Sequence, residues 1–258
     1  MRDRSGGSIA KLEFHAPYHP NVTLRIQDKY YSIDGACSNR QDKYVHWLTH
    51  FHFDHIRSSV AGGADFLLSQ DEKIRIFAPA DTTPLDECAT VFEAHSRLYG
   101  YHSKGKRVLV PVEAGDKFSI NGTVLEAVGL THSVINNALF IKNKEVDFSV
   151  MITGDWLGSD EENREAILSR EPSILVSESR YFIDEKYPMT SERMHTHVND
   201  LIELKQLLPD TVVVAYHISR TFSNIGYISS ICEKNDIVFG KKILFYDSYD
   251  NYDITHRF

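Results

Sequence analysis

WLTHFHFDHI, residues 47–56, sets His50, His52, Asp54 and His55 within six consecutive positions. The preceding VHWLT (45–49) reads as a buried strand. The chain therefore arrives extended and meets a polar cluster that an apolar core cannot hold without partners. Side chains alternate in extended backbone, which puts His50, His52 and Asp54 on one side and sends Phe51 and Phe53 to the other. Several donors converging on one point are what a divalent ion requires. The plainer reading is a solvated histidine-rich turn. With 13 His in 258 residues, the pattern HxHxDH is rare enough by chance to favour the metal.

A catalytic ion also needs ligands from elsewhere and an open position for water. Strand ends are the places to look, and three carry suitable groups: His132 in GLTH (129–132), Asp155 in TGD (153–155), and His217 after the buried strand TVVVAY (211–216). Each is weak alone. A histidine at a strand end is commonly structural, and Gly154-Asp155 by itself is an ordinary turn.

Along the rest of the chain, strands are expected over 9–14, 22–26, 30–33, 45–49 and 74–77, then near 108–111, 124–128, 138–141 and 150–153. Thr83-Pro84 predicts a helix to about Leu98, with Thr83 as N-cap. Ser159-Asp160-Glu161-Glu162 predicts a capping box and a helix to Leu168, and Ser191 a longer helix ending before Pro209. A strand over 173–176, a helix around 225–232 and a strand over 243–246 complete the pattern. There is no repeat, low-complexity segment or linker, so 1–258 reads as a single domain. Two meandering sheets with helices between and outside them point to an α/β fold with four αββα layers.

Lys plus Arg number 28 and Asp plus Glu 36, a net charge of −8. That balance gives no electrostatic reason for tight, sequence-independent binding of long nucleic acid. Three cysteines, Cys37, Cys88 and Cys232, are odd in number and form no CxxC pair. They indicate neither a disulfide framework nor a thiolate zinc site, and a reducing cytoplasm fits them best. No apolar run approaches 18 residues and the N-terminus lacks a signal-peptide layout, so no membrane partner is expected. The ending YDSYDNYDITHRF (246–258) suits a docking tail or a final strand.

HFHFDH followed by His132, Asp155 and His217 resembles the ordered ligand series of the metallo-β-lactamase fold superfamily, over about 33–220 of this chain. The resemblance implies two divalent metal ions, with His50, His52 and His132 on one, Asp54, His55 and His217 on the other, and Asp155 bridging. The Asp54-His55 pair and Asp155 are similar to the dinuclear hydrolases rather than to enzymes with a cysteine ligand. Histidine-rich nitrogen and carboxylate sites favour zinc, with manganese the alternative.

Ser177-Glu178-Ser179, His195-Thr196 and Tyr216-His217-Ile218-Ser219-Arg220 together are similar to the ribonuclease Z pattern. That match implies His195 as proton donor to the leaving oxygen and Glu178 as its orienting partner, grouped with Asp54 as the catalytic residues. His197 is the competing donor, and a solvated helix face is the plainer reading of both histidines. Arg220 is a candidate phosphate contact. LTHFHFDH, THS (131–133) and TGDW (153–156) also resemble the β-CASP nucleases, but the 62 positions from Asp155 to His217 leave no room for their inserted domain. The 23 positions from His132 to Asp155 hold two strands and a turn, not the long tRNA-clamping arm of ribonuclease Z. The glycine-rich follow-on is altered too, to IRSSVAGG (56–63).

The resulting expectation is a phosphodiesterase acting on a nucleotide, with a small or cyclic one favoured and RNA as the further substrate. The competing readings are a metallo-hydrolase of a thioester, lactone or β-lactam, and a metal-binding protein without turnover. A homodimer whose second chain lends a pocket wall is compatible with all of these.

Overall fold

Short runs rich in valine, isoleucine and aromatic residues pair into two sheets in the computed structural model, which describes residues 10–14, 20–35, 44–56, 73–86, 89–120, 122–180, 194–218, 225–239, 241–246 and 253–257. The first sheet joins, in spatial order, β15 (Asp253–Arg257), β14 (Lys241–Tyr246), β1 (Ala10–Phe14), β2 (Val22–Ile26), β3 (Lys29–Ile33), β4 (Tyr44–Trp47), β5 (Ile74–Pro79) and β6 (Arg107–Val112). The second joins β13 (Ile237–Phe239), β12 (Val212–Tyr216), β11 (Ile174–Glu178), β10 (Phe148–Ile152), β9 (Asn136–Asn143), β8 (Thr123–Leu130) and β7 (Lys117–Ile120). Each sheet is antiparallel on one side and parallel on the other. The parallel runs are β3 to β6 and β10 to β13. Parallel strands deliver their C-terminal ends to the same edge, where loops from several strands can meet.

Three apolar clusters fill the spaces between four layers. Leu12, Leu24, Trp47, Leu125, Ile141, Val150, Val176 and Val214 pack sheet against sheet. On the outer face of the second sheet, Met151, Ile167, Leu201, Leu204, Val213 and Ile228 pack helices α2 (Glu161–Leu168), α3 (Val198–Leu207) and α4 (Ile225–Lys234) against the strands. On the outer face of the first, Leu48, Ile76, Tyr99 and Leu109 seat α1 (Val91–His102). The expected αββα arrangement is therefore present. Strand β12, VVVAY, is buried at every position because both faces are covered. The ending of the chain takes the second of its two readings, with β15 paired antiparallel to β14. Among the described residues no helix is long and apolar enough to cross a membrane.

Several boundaries differ from expectation. Helix α1 starts at Val91, not after Thr83. Thr90 forms the capping box, its hydroxyl accepting from Glu93 N at 3.3 Å while Glu93 Oε2 accepts from Thr90 N at 3.0 Å. Thr83 instead donates its amide to the Asp81 carboxylate, and Pro84 pairs with Thr90 as an isolated bridge. Helix α2 is capped by Asp160, whose carboxylate accepts two orphan amides, rather than by Ser159. Helix α3 begins at Val198; Ser191 lies outside the described residues. Strands β7 and β13 have no strong sequence signal, the first being a half-exposed edge and the second three residues long.

Trp47 joins the two sheets. It is 1% exposed, its ring lies 6.2 Å from Phe77 and 6.3 Å from Phe118, and its Nε1–H donates to the Asn137 carbonyl at 3.0 Å. Trp47→Ala should destabilise the protein by about 3–5 kcal/mol, read as a lower urea midpoint with unchanged m. A loss under about 1 kcal/mol would show that the sandwich does not depend on this contact.

Candidate metal centre

The residues singled out by their position at strand ends come together at one edge of the sandwich. Strand β4 runs into Thr49-His50, β8 into Thr131-His132, β10 into Gly154-Asp155, and β12 into His217, while β11 ends on Glu178. Local backbone makes this convergence possible. Gly154 has φ +64, and a Cβ there would lie 2.6 Å from Asn136 Oδ1 and 2.7 Å from Thr49 Cβ, so only glycine lets Asp155 approach the first motif. His217 is itself turned into the left-handed region at φ 51, strain of the kind found at functional sites.

Within the motif, alternation holds only as far as His52. The chain then turns helical over 53–56, with the amides of His55 and Ile56 bonded to the His52 carbonyl. Phe51 is buried against α1, whereas Phe53 is 71% exposed, so the two phenylalanines do not share a side as expected. The turn swings Asp54 and His55 away from His52 and toward His217.

Three donor clusters result among the described residues, one of them Asp155, Glu178 and His195 and the other two drawn from the predicted ligands. Of these two, His50, His52, His132 and Asp155 form one, and Asp54, His55 and His217 the other, with the donor atoms of each set within 4.8 Å of one another. His132 Nε2 and His52 Nδ1 are 3.2 Å apart, and His217 Nε2 and Asp54 Oδ2 3.3 Å. Two nitrogens each about 2.0–2.1 Å from a shared tetrahedral ion are separated by about 3.3 Å. Asp155 reaches across, its Oδ1 lying 2.9 Å from His217 Nδ1 and 3.4 Å from His55 Nε2.

Asp34, read from sequence only as part of an Asp-Gly turn, supports both predicted-ligand clusters from behind, through Thr49 to His50 and directly to His55. It is fully buried with φ 53, and its carboxylate accepts from Thr49 N at 2.8 Å, from the Thr49 hydroxyl at 2.9 Å and from His55 Nδ1–H at 2.9 Å. With its hydroxyl proton committed to Asp34, Thr49 accepts from His50 Nδ1–H at 3.0 Å. His132 Nδ1–H donates to the Met194 carbonyl at 2.6 Å. Three histidines thus have Nδ1 occupied and keep Nε2 as a bare lone pair. Backing a ligand histidine with a carboxylate or carbonyl fixes its tautomer and raises its basicity. His50 Nε2 and His55 Nε2 are buried with no hydrogen-bond partner. Such orphaned bases, in a set of five imidazoles and two carboxylates, fit a pair of divalent cations.

Charge follows the same geometry. Burial works against the His55 and His217 cations, but Asp34 and Asp155 beside His55 outweigh it and raise its pKa well above the ordinary value. Asp155, with help from Asp54, brings His217 up to about 9. Burial takes His132 down to about 4.

Glu178 is wholly buried, its Oε1 accepting from Trp156 N at 2.7 Å and its Oε2 from His195 Nδ1–H at 3.0 Å. Burial first, and Asp155 second, push its carboxyl well above the usual range. His195 Nδ1 is also 3.5 Å from Asp155 Oδ2, and burial lowers its pKa to about 4. His195 is therefore the histidine that reaches the centre. His197 caps α3 through its backbone amide, which donates to Asp200. Arg220 lies outside the described residues. Beside His132 opens a cavity of about 760 Å³ lined in part by Phe51, Thr83, His95, Ile135 and Asn163.

Removing the support behind His55 and Thr49 should be felt by metal affinity before activity. Asp34→Ala is expected to weaken metal binding about 10–100-fold, measured by chelator competition. An unchanged affinity would mean that Asp34 does not set the ligands.

No family model matches this sequence, and no curated protein matches it. Solved structures do. The metallo-β-lactamase fold protein YhfI of Bacillus subtilis superposes with a TM-score of 0.68 at 13% identity, covering 91% of this chain and 98% of that one. The short form of human tRNase Z gives 0.63 at 15% identity, covering 90% and 98%. An isothiocyanate hydrolase from Delia radicum gut bacteria gives 0.63 at 14%, covering 92% and 99%. At such identities the likeness is one of architecture, and this chain has the metallo-β-lactamase fold.

Proposed function

We propose that this protein is a metal-dependent hydrolase that cleaves a phosphodiester bond in a nucleotide, with a small or cyclic nucleotide favoured over RNA. His50, His52 and His132 would hold one ion and Asp54, His55 and His217 a second, with Asp155 between them. Zinc suits this donor set and manganese is the alternative. When bound, such a pair neutralises phosphate oxygens and lowers the pKa of a water from 15.7 towards about 7.

The observation that carries the reading is the Glu178–His195 pair placed against Asp155. A phosphodiester expels a poor alkoxide, so a proton donor at the leaving oxygen matters far more than it does for a thiolate. With Nδ1 bound to Glu178, His195 has Nε2 as the position from which to give that proton. Trp156 and Thr196 lock the pair. The Trp156 amide binds Glu178, its indole binds Ser177, and the Thr196 hydroxyl binds the Trp156 carbonyl at 2.8 Å. To act as an acid His195 must be charged, which burial opposes. A phosphoryl oxygen brought alongside supplies the countercharge, and a neutral ester does not.

Three features favour a small substrate. The span between His132 and Asp155 is filled by β9 and β10 joined through residues 144–147. The net charge of −8 gives no overall electrostatic attraction for a long polyanion. The cavity beside His132, about 760 Å³, has the volume of a small-ligand cleft. Fold likeness alone does not choose, since a tRNase Z and an isothiocyanate hydrolase superpose equally well.

The test is a panel on metal-loaded protein: a cyclic mononucleotide, a precursor tRNA and bis(p-nitrophenyl) phosphate against nitrocefin and S-lactoylglutathione. Phosphodiesters should be turned over and the last two should not. His195→Ala should lower turnover about 10²–10⁴-fold on ribose leaving groups and far less on p-nitrophenolate, which needs little protonation. Equal losses on both would remove His195 from the role. A preference for the thioester or lactam would replace the phosphodiester reading.

A further inference from the structure

Among the described residues, one cation at the centre, Arg180, has no carboxylate in an ion pair with it. Arg180 follows β11 by two residues, and its place is fixed on both sides. Its amide donates to the Thr196 carbonyl at 2.9 Å, and the neighbouring Ser179 amide donates to Tyr216 at 2.9 Å. The guanidinium is thereby held beside the segments that carry His195 and His217. Its Nη1 lies 3.4 Å from His217 Nε2, and its Nε is buried without a hydrogen-bond partner. Among the described residues no carboxylate forms an ion pair with it. Arg164 and Arg170, by contrast, pair with Glu203 and Glu126. Among the described residues, the carboxylates around His217 and His195 are committed to other partners: Asp54 and Asp155 to His217, Glu178 to Trp156 and His195.

An arginine buried in part, held by its own backbone and facing histidines instead of acids, is unfavourable unless an anion completes it. The planar fork of donors matches two oxygens of a phosphate or phosphodiester and has no equivalent partner on a neutral carbonyl carbon. We propose that Arg180 seats the non-bridging oxygens of the substrate's phosphodiester and so makes this centre select anionic phosphoesters over neutral electrophiles. The inference rests on the phosphodiesterase reading above and names the residue that recognises the charge. The position carries no motif in the sequence, because its meaning comes only from the approach of β11, β12 and the His195 segment.

The experiment compares the metal-loaded wild type with Arg180→Gln and Arg180→Lys. Each is assayed on bis(p-nitrophenyl) phosphate, a monoanion, and p-nitrophenyl acetate, a neutral ester with the same leaving group. Inorganic phosphate binding is measured in parallel by calorimetry, with metal content and circular dichroism confirming that each variant is loaded and folded. A charge-assisted contact of this type corresponds to about a 10–100-fold change. Arg180→Gln should therefore raise KM for the diester and Kd for phosphate by at least about tenfold, with a loss on the diester at least ten times that on the ester. Arg180→Lys should recover part of the phosphate affinity. Unchanged phosphate affinity, or proportional losses on both substrates, overturns the assignment. If the wild type cleaves diesters and Arg180→Gln binds phosphate normally, the Arg180 inference falls and the phosphodiesterase reading stands. If the wild type cleaves none but Arg180→Gln still loses phosphate affinity, the anion seat stands and the phosphodiesterase reading falls.

Discussion

A single buried carboxylate, Asp34, sets the conditions for the rest of the centre. Ionised groups inside a protein are tolerated only with full hydrogen bonding, and Asp34 obtains it from the Thr49 amide, the Thr49 hydroxyl and His55. Each bond has a consequence at the front of the site. Thr49 orients His50, and His55 is presented with its Nε2 toward Asp155. The aspartate itself touches no part of the reacting region. Its effect is to convert a strand end into a directed set of lone pairs.

The fold supplies the partners for that set through strand direction. Because β4 belongs to one sheet and β10, β11 and β12 to the other, both parallel halves of the sandwich end at the same edge. The groups that follow them lie together although they are far apart in sequence. Close approach at this edge is purchased locally by the glycine at 154 and the left-handed backbone at His217. Behind the edge, Trp47 and the apolar cluster between the sheets keep the strand ends in register. Stability and site geometry are therefore linked through β4, which carries Trp47 and leads directly into the motif at Thr49-His50.

Much of this was legible in the chain itself. A dense HxHxDH run after an apolar strand, and three further donors each placed just past another strand, brought out the residues that the structure gathers, because strand ends are visible in hydrophobic patterning. The architecture followed from the alternation of strands and helices. What stayed hidden depends on tertiary approach. Asp34 has the sequence signature of a common turn, and its burial is created by Asn21, Thr49 and His55 packing around it. Phe53 departs from the side of Phe51 because strand alternation ends where the backbone turns helical over 53–56. The Thr83-Pro84 signal is a sound helix start in isolation, yet the reciprocal Thr90–Glu93 bonds determine where α1 begins. Arg180 carries a general-purpose side chain whose significance appears only when its neighbours are known.

Asp155 belongs to the His50, His52 and His132 cluster and lies against His55 and His217 of the other, an arrangement that points to one two-ion centre. Metal content measured by inductively coupled plasma mass spectrometry, on protein reconstituted with zinc or manganese and then dialysed, tests it most directly. The wild type should retain about two ions per chain, and Asp155→Ala about one or fewer, with the circular dichroism spectrum of both unchanged. Retention of no ion by the wild type, or an undiminished pair of ions in Asp155→Ala, would contradict it.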